Sequence, residues 1–201
     1  MIAIIDYDAG NLKSVEKALC HIGARSVITR DAAVIKKADK VILPGVGAFG
    51  DAMDKLRKFE LTDTLKEVAG SGTPFLGICL GLQLLFPFSE ETEAVEGLSV
   101  LEGGIYRIPE KEGLKIPHIG WNSIKITPGA RLFKGMEGEP YVYFVHSYYL
   151  RAKHREEVAA TTEYGVTIHA AMEKGNLFAC QFHPEKSGEA GLKILDNFIH
   201  L

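Results

Sequence analysis

Short runs of unbroken apolar residues set the tightest limit on this fold. They lie at 2–6, 40–44 (with Val41-Ile42-Leu43 at the centre) and 74–78, with a weaker one at 25–29. Strands made of continuous apolar residues are buried on both faces, which is the mark of a parallel sheet. Between these runs the pattern turns helical. Leu12, Val15, Leu19 and Ile22 recur at helical spacing, Asn11 stands at the expected cap and Gly23 at the expected stop. Residues 31–38 read as a short helix, 50–69 as a longer one broken near 59–62, and 80–86 as a helix ended by Pro87. Strands alternating with helices in this way predict an α/β fold, a mostly parallel open sheet flanked by helices.

The second half predicts something different. Residues 103–107, 122–127, 141–150, 157–162, 167–173 and 177–181 read as strands without long helices between them, so antiparallel hairpins are added to the parallel core. An amphipathic helix over 187–201 closes the chain, with Leu192, Leu195, Phe198 and Ile199 on one face. No linker, repeat or low-complexity tract divides the 201 residues, and a single domain over 1–201 is expected. With 46% apolar and 24% charged residues the chain is neither disordered nor fibrous. Its 23 basic and 26 acidic side chains leave a net charge of −3, which argues against a nucleic-acid footprint. No apolar run approaches the roughly 20 residues of a membrane span. The N-terminus lacks a basic signal-peptide region, and three cysteines (Cys20, Cys79, Cys180) cannot form a complete disulfide set. A reduced, cytoplasmic protein is expected.

The sharpest chemical feature is Gly77-Ile78-Cys79-Leu80-Gly81, an apolar strand running through G-x-C-x-G into an apolar helix. This is the pattern of a nucleophile elbow with cysteine in place of serine. A strained turn pushes the side chain out of the sheet, flanking glycines remove Cβ atoms that would clash, and the helix N-terminus favours a thiolate. A nucleophilic cysteine needs a base and a group to orient that base. Of seven histidines, His183 in Phe182-His183-Pro184-Glu185 fits best. Pro184 biases His183 towards extended backbone, which would turn His183 and Glu185 to the same side. Cys20 and Cys180 read as core, and His21, His154, His169 and His200 as surface or structural residues. The loop over 44–50 contains G-x-G-x-x-G, but it follows the third strand and lacks the acid that a dinucleotide loop needs. It suits a loop that aims backbone N–H groups of Val46 and Gly47 at an oxyanion, with the Leu80 N–H as a further donor. Gln83, one helical turn past Cys79, faces the same side and could meet a polar substrate. No cluster has metal-ligand spacing, so neither a metal nor a cofactor is expected.

Together these residues resemble the class I, triad-type glutamine amidotransferases, a family with a flavodoxin-like open sheet. Four further segments are more specific: 4–12, Pro117-His118-Ile119-Gly120-Trp121-Asn122, Tyr143-Phe144-Val145-His146-Ser147-Tyr148, and His183-Pro184-Glu185-Lys186-Ser187. They are similar to the glutaminase subunits of imidazole glycerol phosphate synthases, over nearly the whole chain. The resemblance implies a Cys79–His183–Glu185 triad that hydrolyses glutamine to glutamate and ammonia. It also implies substrate contacts at Gly47, Gln83, Ser147 and Tyr148. The ammonia would pass to a separate (β/α)8-barrel cyclase subunit that makes imidazole glycerol phosphate in histidine biosynthesis. Asn11, Tyr143 and Lys186 would face that partner. Two alternatives stay open at this stage: a glutaminase feeding another synthase (anthranilate, aminodeoxychorismate or GMP), and a non-catalytic module that kept the fold.

Overall fold

The computed structural model describes residues 1–201. The first half alternates as the apolar runs require: β1 (Ile2–Ile5), α1 (Leu12–His21), β2 (Ser26–Thr29), α2 (Ala32–Lys36), β3 (Lys40–Gly45), α3 (Phe49–Lys58), α4 (Thr62–Gly70), β4 (Phe75–Cys79) and α5 (Leu80–Gln83). The second half supplies β5 (Gly103–Arg107), β6 (His118–Ser123), β7 (Lys125–Ile126), β8 (Tyr141–His146), β9 (Tyr148–Ala152), β10 (Val158–Tyr164), β11 (Val166–Lys174), β12 (Leu177–Cys180) and α6 (Gly188–Ile199). One sheet runs β2-β1-β3-β4-β12-β11-β10-β7. Its β2 to β12 portion is parallel, and β11, β10 and β7 extend it antiparallel. Two separate antiparallel pairs, β5–β9 and β6–β8, stand beside it.

Burial on both faces explains the unbroken apolar runs. Ala3, Ile5, Val41, Leu43 and Phe75 pack on one side of the sheet, and Ile2, Ile4, Ile42, Leu76 and Ile78 on the other. Each such large side chain contributes roughly 1.5–3 kcal/mol relative to exposure. Helix α1 adds Val15, Ala18 and Leu19, and α6 adds Ile194, Leu195 and Phe198. Leu192 and Ile199 only flank that α6 stripe, because they are half-buried. Local signals act as expected at two places. Asp31 Oδ1 accepts from the Ala33 and Val34 N–H groups (2.8 and 3.2 Å) and starts α2. The break after α3 is a Schellman-type stop: Leu61 N–H reaches Leu56 O and Glu60 N–H reaches Arg57 O, with Glu60 at φ +56°.

Several expectations need correction. Helix α5 is one turn, not seven residues. The Leu84 and Leu85 carbonyls accept from Leu98, Val100 and Leu101 N–H groups, so the chain turns away instead of propagating. The expected strand over 122–127 begins earlier, at His118, because Gly120 and the exposed Ile119 and Trp121 hide the strand pattern. The run over 141–150 breaks at Ser147, whose carbonyl accepts from Ile108 N–H (2.9 Å). Asn11 sits at the start of α1 but its side chain makes no capping hydrogen bond. Cys20 is exposed, since α1 buries the Val15–Ala18–Leu19 face and turns Cys20 outward.

Candidate active site

Three parallel strands end side by side, and the candidate residues follow from those ends. Gly45 of β3 lies opposite Cys79 of β4, and Ile78 lies opposite Cys180 of β12. The loop at 46–47, the Cys79 elbow and the His183 segment therefore meet at the carboxyl edge of the sheet, where open α/β folds place ligands. Cys79 has φ +55° and ψ −108°, a conformation L residues avoid and one that costs on the order of 1–3 kcal/mol. Packing enforces it. A Cβ at Gly81 would lie 1.8 Å from the Leu43 carbonyl oxygen, and one at Gly77 would lie 2.7 Å from the Gly81 carbonyl oxygen. The strand and the single turn of α5 can approach this closely only without those atoms.

His183 and Glu185 meet as the sequence predicts, by a different local route. His183 is extended (φ −101°, ψ 97°), but Glu185 lies in a 3-10 turn over Pro184–Lys186 rather than in continued extended chain. Glu185 Oε1 faces His183 Nδ1 at 2.8 Å, and both side chains are buried. The turn is clamped from both sides. His183 N–H donates to Tyr143 O (3.0 Å), Ser187 Oγ donates to His183 O (2.6 Å), and Tyr143 N–H donates to Ser187 Oγ (3.0 Å). Behind it, Gly191 lets α6 close on Pro184, since a Cβ there would lie 1.9 Å from the Pro184 carbonyl oxygen.

Burial alone would drive the proton off His183. The Cys79 sulfur and the Glu185 carboxylate outweigh it and hold the imidazolium up to about 9. His183 Nε2 is buried with no partner in good hydrogen-bond geometry, and the Cys79 sulfur is the neighbour that does most to hold its proton. An unpaired buried nitrogen on an oriented histidine is a group waiting for a reacting proton. Cys180, the other buried cysteine, is pushed well up by burial, Glu185 and Cys79, so it does not compete as a thiolate.

A cleft of about 450 Å³ opens over these groups, lined by Val46, Gly47, Cys79, Leu80, Gln83, Ser147, Tyr148, His183 and Lys186. It gathers the expected oxyanion and substrate residues in one place. Gly47 has φ +99°, a backbone that favours glycine. Tyr143 lies beside Lys186, whose Nζ sits 6.0 Å from the Tyr143 ring. Asn11 stands at the start of α1, in the loop where Gly10 packs on Pro44, and α1 packs against the 184–186 turn that carries Lys186. A second concavity, about 480 Å³ around Arg151, Arg155 and His169, holds no cysteine or serine.

Sequence reasoning missed five residues here. Tyr7, fully buried, donates its hydroxyl to Pro44 O (3.0 Å) and fixes the approach to the 46–47 loop. Glu91 lines the cleft and accepts from Phe49 N–H (2.8 Å) at the start of α3. Gln181 donates to Cys79 Sγ (3.7 Å) and accepts from Gln83 Nε2 (3.1 Å). His146 also lines the cleft, and its Nδ1 faces Tyr148 O at 2.8 Å, which makes Nδ1 the protonated nitrogen. Its Nε2 then accepts from His118 Nδ1 (3.0 Å). Only Tyr7, His118 and His146 lay in segments already singled out by resemblance, and none had a spacing that announced its role.

The histidine pair carries a stability prediction. Burial pushes His118 down to about 4 and His146 down to about 3. Below about 6.5 the unfolded chain takes up protons that these folded imidazoles refuse, so stability falls as pH drops from 6.5 towards 4. His183 acts in the opposite sense, adding stability below 6.5 that disappears as pH rises through about 9. The acid loss from His146 is about 1.4 kcal/mol per pH unit. Urea midpoints measured between pH 7 and pH 4.5 should show a shallower acid slope in His146→Gln than in the parent. Equal slopes would contradict the assignment.

The comparisons with known proteins agree with this geometry. Residues 3–201 match the family described as glutamine amidotransferase class-I. The fold is shared with solved structures at low identity, including a glutamine amidotransferase (TM-score 0.76, 19% identity, 98% of this chain and 99% of that one) and PurLQS from Thermotoga maritima (TM-score 0.74, 20% identity, 99% and 97%). The chain therefore belongs to the class-I glutamine amidotransferases. Within that family it stands with the proteins named imidazole glycerol phosphate synthase subunit HisH. It is 52% identical over 198 residues to that of Caldanaerobacter subterraneus subsp. tengcongensis (98% of this chain, 97% of the relative). It is 50% identical over 201 residues to that of Methanothermobacter thermautotrophicus (100% and 98%).

Proposed function

We propose that Cys79, His183 and Glu185 release ammonia from glutamine, and that the chain works as the glutaminase subunit of an imidazole glycerol phosphate synthase in histidine biosynthesis. The observation that carries the site assignment is the strained cysteine elbow beside a buried histidine gripped by Glu185 at 2.8 Å. The thiolate attacks the side-chain carboxamide carbon. N–H groups of Leu80 and of the 46–47 loop receive the oxyanion, a contribution of roughly 3–4 kcal/mol for a well-placed donor. His183 gives its proton to the leaving ammonia. As the sulfur becomes a thioester its charge vanishes, which weakens the hold on that proton at the moment it must leave. The now neutral His183 then takes a proton from water, which breaks the thioester and frees glutamate. Ser147 and Tyr148 form the far wall for the amino-acid end of the substrate. The Glu91 carboxylate suits its ammonium. Gln83 uses its NH2 on Tyr148 O (3.2 Å) and Gln181, so it offers its carbonyl oxygen to substrate.

The subunit names of the relatives imply a partner, and we assign it, from the sequence resemblance, as a (β/α)8-barrel cyclase. Ile119, Trp121 and Tyr141 are 59%, 55% and 62% exposed on the β6–β8 ribbon, an apolar patch that suits a protein interface. Trp121 packs edge-on to Tyr143, and Tyr143 clamps the His183 turn, so a partner seated there would touch the support of the triad directly. Asn11 and Lys186 would lie at the rim of the same face. Trp121→Ala should weaken the complex by about 2 kcal/mol, a factor near 30, without lowering the melting temperature of the lone chain. Unchanged affinity by calorimetry would remove this patch from the interface. The activity is tested by glutamate release with the cyclase absent, present, and present with its nucleotide ligand. Turnover is expected to be highest in the third condition. No turnover from folded protein in any of them would overturn the proposal.

A further inference from the structure

The hydrogen bonds behind Cys79 form a directed chain with a fixed origin. A backbone carbonyl can only accept, and Tyr148 O accepts twice, from Gln83 Nε2 (3.2 Å) and from His146 Nδ1 (2.8 Å). That fixes which end of the Gln83 amide points inward: its NH2 group serves Tyr148 O and also Gln181 Oε1 (3.1 Å). Gln181 is fully buried, and with its oxygen so engaged only its NH2 group can face Cys79 Sγ, at 3.7 Å. Flipping Gln181 would set two NH2 groups against each other and aim a carbonyl oxygen at a thiolate. The chain is braced on its far side by His118, whose Nδ1–H supplies His146 Nε2 (3.0 Å) while its ring stacks on Tyr164 (3.8 Å between centroids).

We propose that Gln181 is a further catalytic residue, whose side-chain amide holds the sulfur of Cys79 as a thiolate and receives it again when the thioester breaks. The inference rests on the glutaminase reading above. A thiolate is the attacking species, and a buried one needs donors in place of the water it has lost. Gln181 Nε2 is such a donor, 3.7 Å from Sγ, and it acts beside the charge of the His183 imidazolium. The same donor acts in the second half of the reaction. Water oxygen bonds to the acyl carbon, its proton goes to His183, the carbon–sulfur bond breaks, and the electron pair settles on a sulfur already facing an N–H group.

The test is the pH dependence of Cys79 alkylation by iodoacetamide, in a Cys20→Ser background that removes the exposed thiol. Gln181→Met keeps length and removes the donor. It leaves in place the ionisable groups around the site: His183, Glu185, Tyr7, Glu91, Lys186 and Cys180. The pH of half-maximal alkylation should rise by about one unit, the size expected for a hydrogen bond to a charged group. Glutamine turnover with the partner subunit should fall about tenfold, mostly in kcat. Gln83→Met cuts the chain one link earlier and should move the alkylation midpoint the same way by less, which keeps the test valid if Gln181→Met does not fold. A purely structural role would lower stability and leave both midpoints on the parental curve, and that result would overturn the proposal. Cys79→Ala in the same turnover assay separates the two readings: retained turnover there sinks the glutaminase assignment itself, whatever the alkylation midpoints show.

Discussion

Cys79→Ala should reduce glutamine hydrolysis by roughly 10⁴-fold or more, since losing the proposed nucleophile of the triad removes the covalent path altogether. The fold should survive, because alanine keeps the backbone geometry and loses only a sulfur. Cys79→Gly should be equally inactive and yet more stable than Cys79→Ala. The elbow holds φ at +55° and ψ at −108°, where a Cβ is strained and glycine is not. The gain from glycine is on the order of 1–3 kcal/mol. Thermal or urea unfolding of the two variants, measured together, reads this directly. A Cys79→Gly chain less stable than Cys79→Ala would mean that the elbow is not strained, and the argument that packing forces the nucleophile outward would fail.

Gly81→Ala should be the most damaging conservative change in the molecule. Its Cβ would lie 1.8 Å from the Leu43 carbonyl oxygen and 2.9 Å from the carbon of the same group, both backbone atoms of a central strand. No rotamer relieves that contact, so β3 and α5 must separate. The loss should reach about 3 kcal/mol or more, at the upper end for core overpacking. Gly47→Ala is the useful contrast. A Cβ there has open space, and only the φ of +99° opposes it. It should cost about 1–2 kcal/mol, with its larger effect on turnover. Unfolding midpoints for the two variants should differ in that order. A Gly81→Ala chain as stable as the parent would contradict the close packing of elbow and sheet.

Much of this was legible in the chain because single residues carried the constraint. Unbroken apolar runs marked the parallel strands, and glycines at 77 and 81 marked the elbow. The Cys79–His183–Glu185 grouping could be read because Cys79 ends one strand, and His183 and Glu185 follow the end of another. What stayed hidden depends on contacts distant in sequence. Helix α5 stops early because residues 98–101 capture the Leu84 and Leu85 carbonyls just past its end. Strand β6 hides because its outward residues, Ile119 and Trp121, are apolar where solvent-facing positions are usually polar. The buried His118–His146 pair and Gln181 take their meaning from partners 28 and 102 residues away. Glu185 reached His183 through a 3-10 turn instead of extended chain, so the pairing was read correctly from a backbone that the fold does not use.

The account stands or falls on where a glutamine-derived group becomes attached. Incubating the complex with an electrophilic, thiol-reactive glutamine analogue and mapping the adduct by peptide mass spectrometry measures this directly. The predicted result is one stoichiometric adduct on Cys79, with Cys20 and Cys180 unlabelled, and with labelling suppressed by excess glutamine. An adduct on exposed Cys20 alone, or no adduct on Cys79 with the partner present, would contradict it.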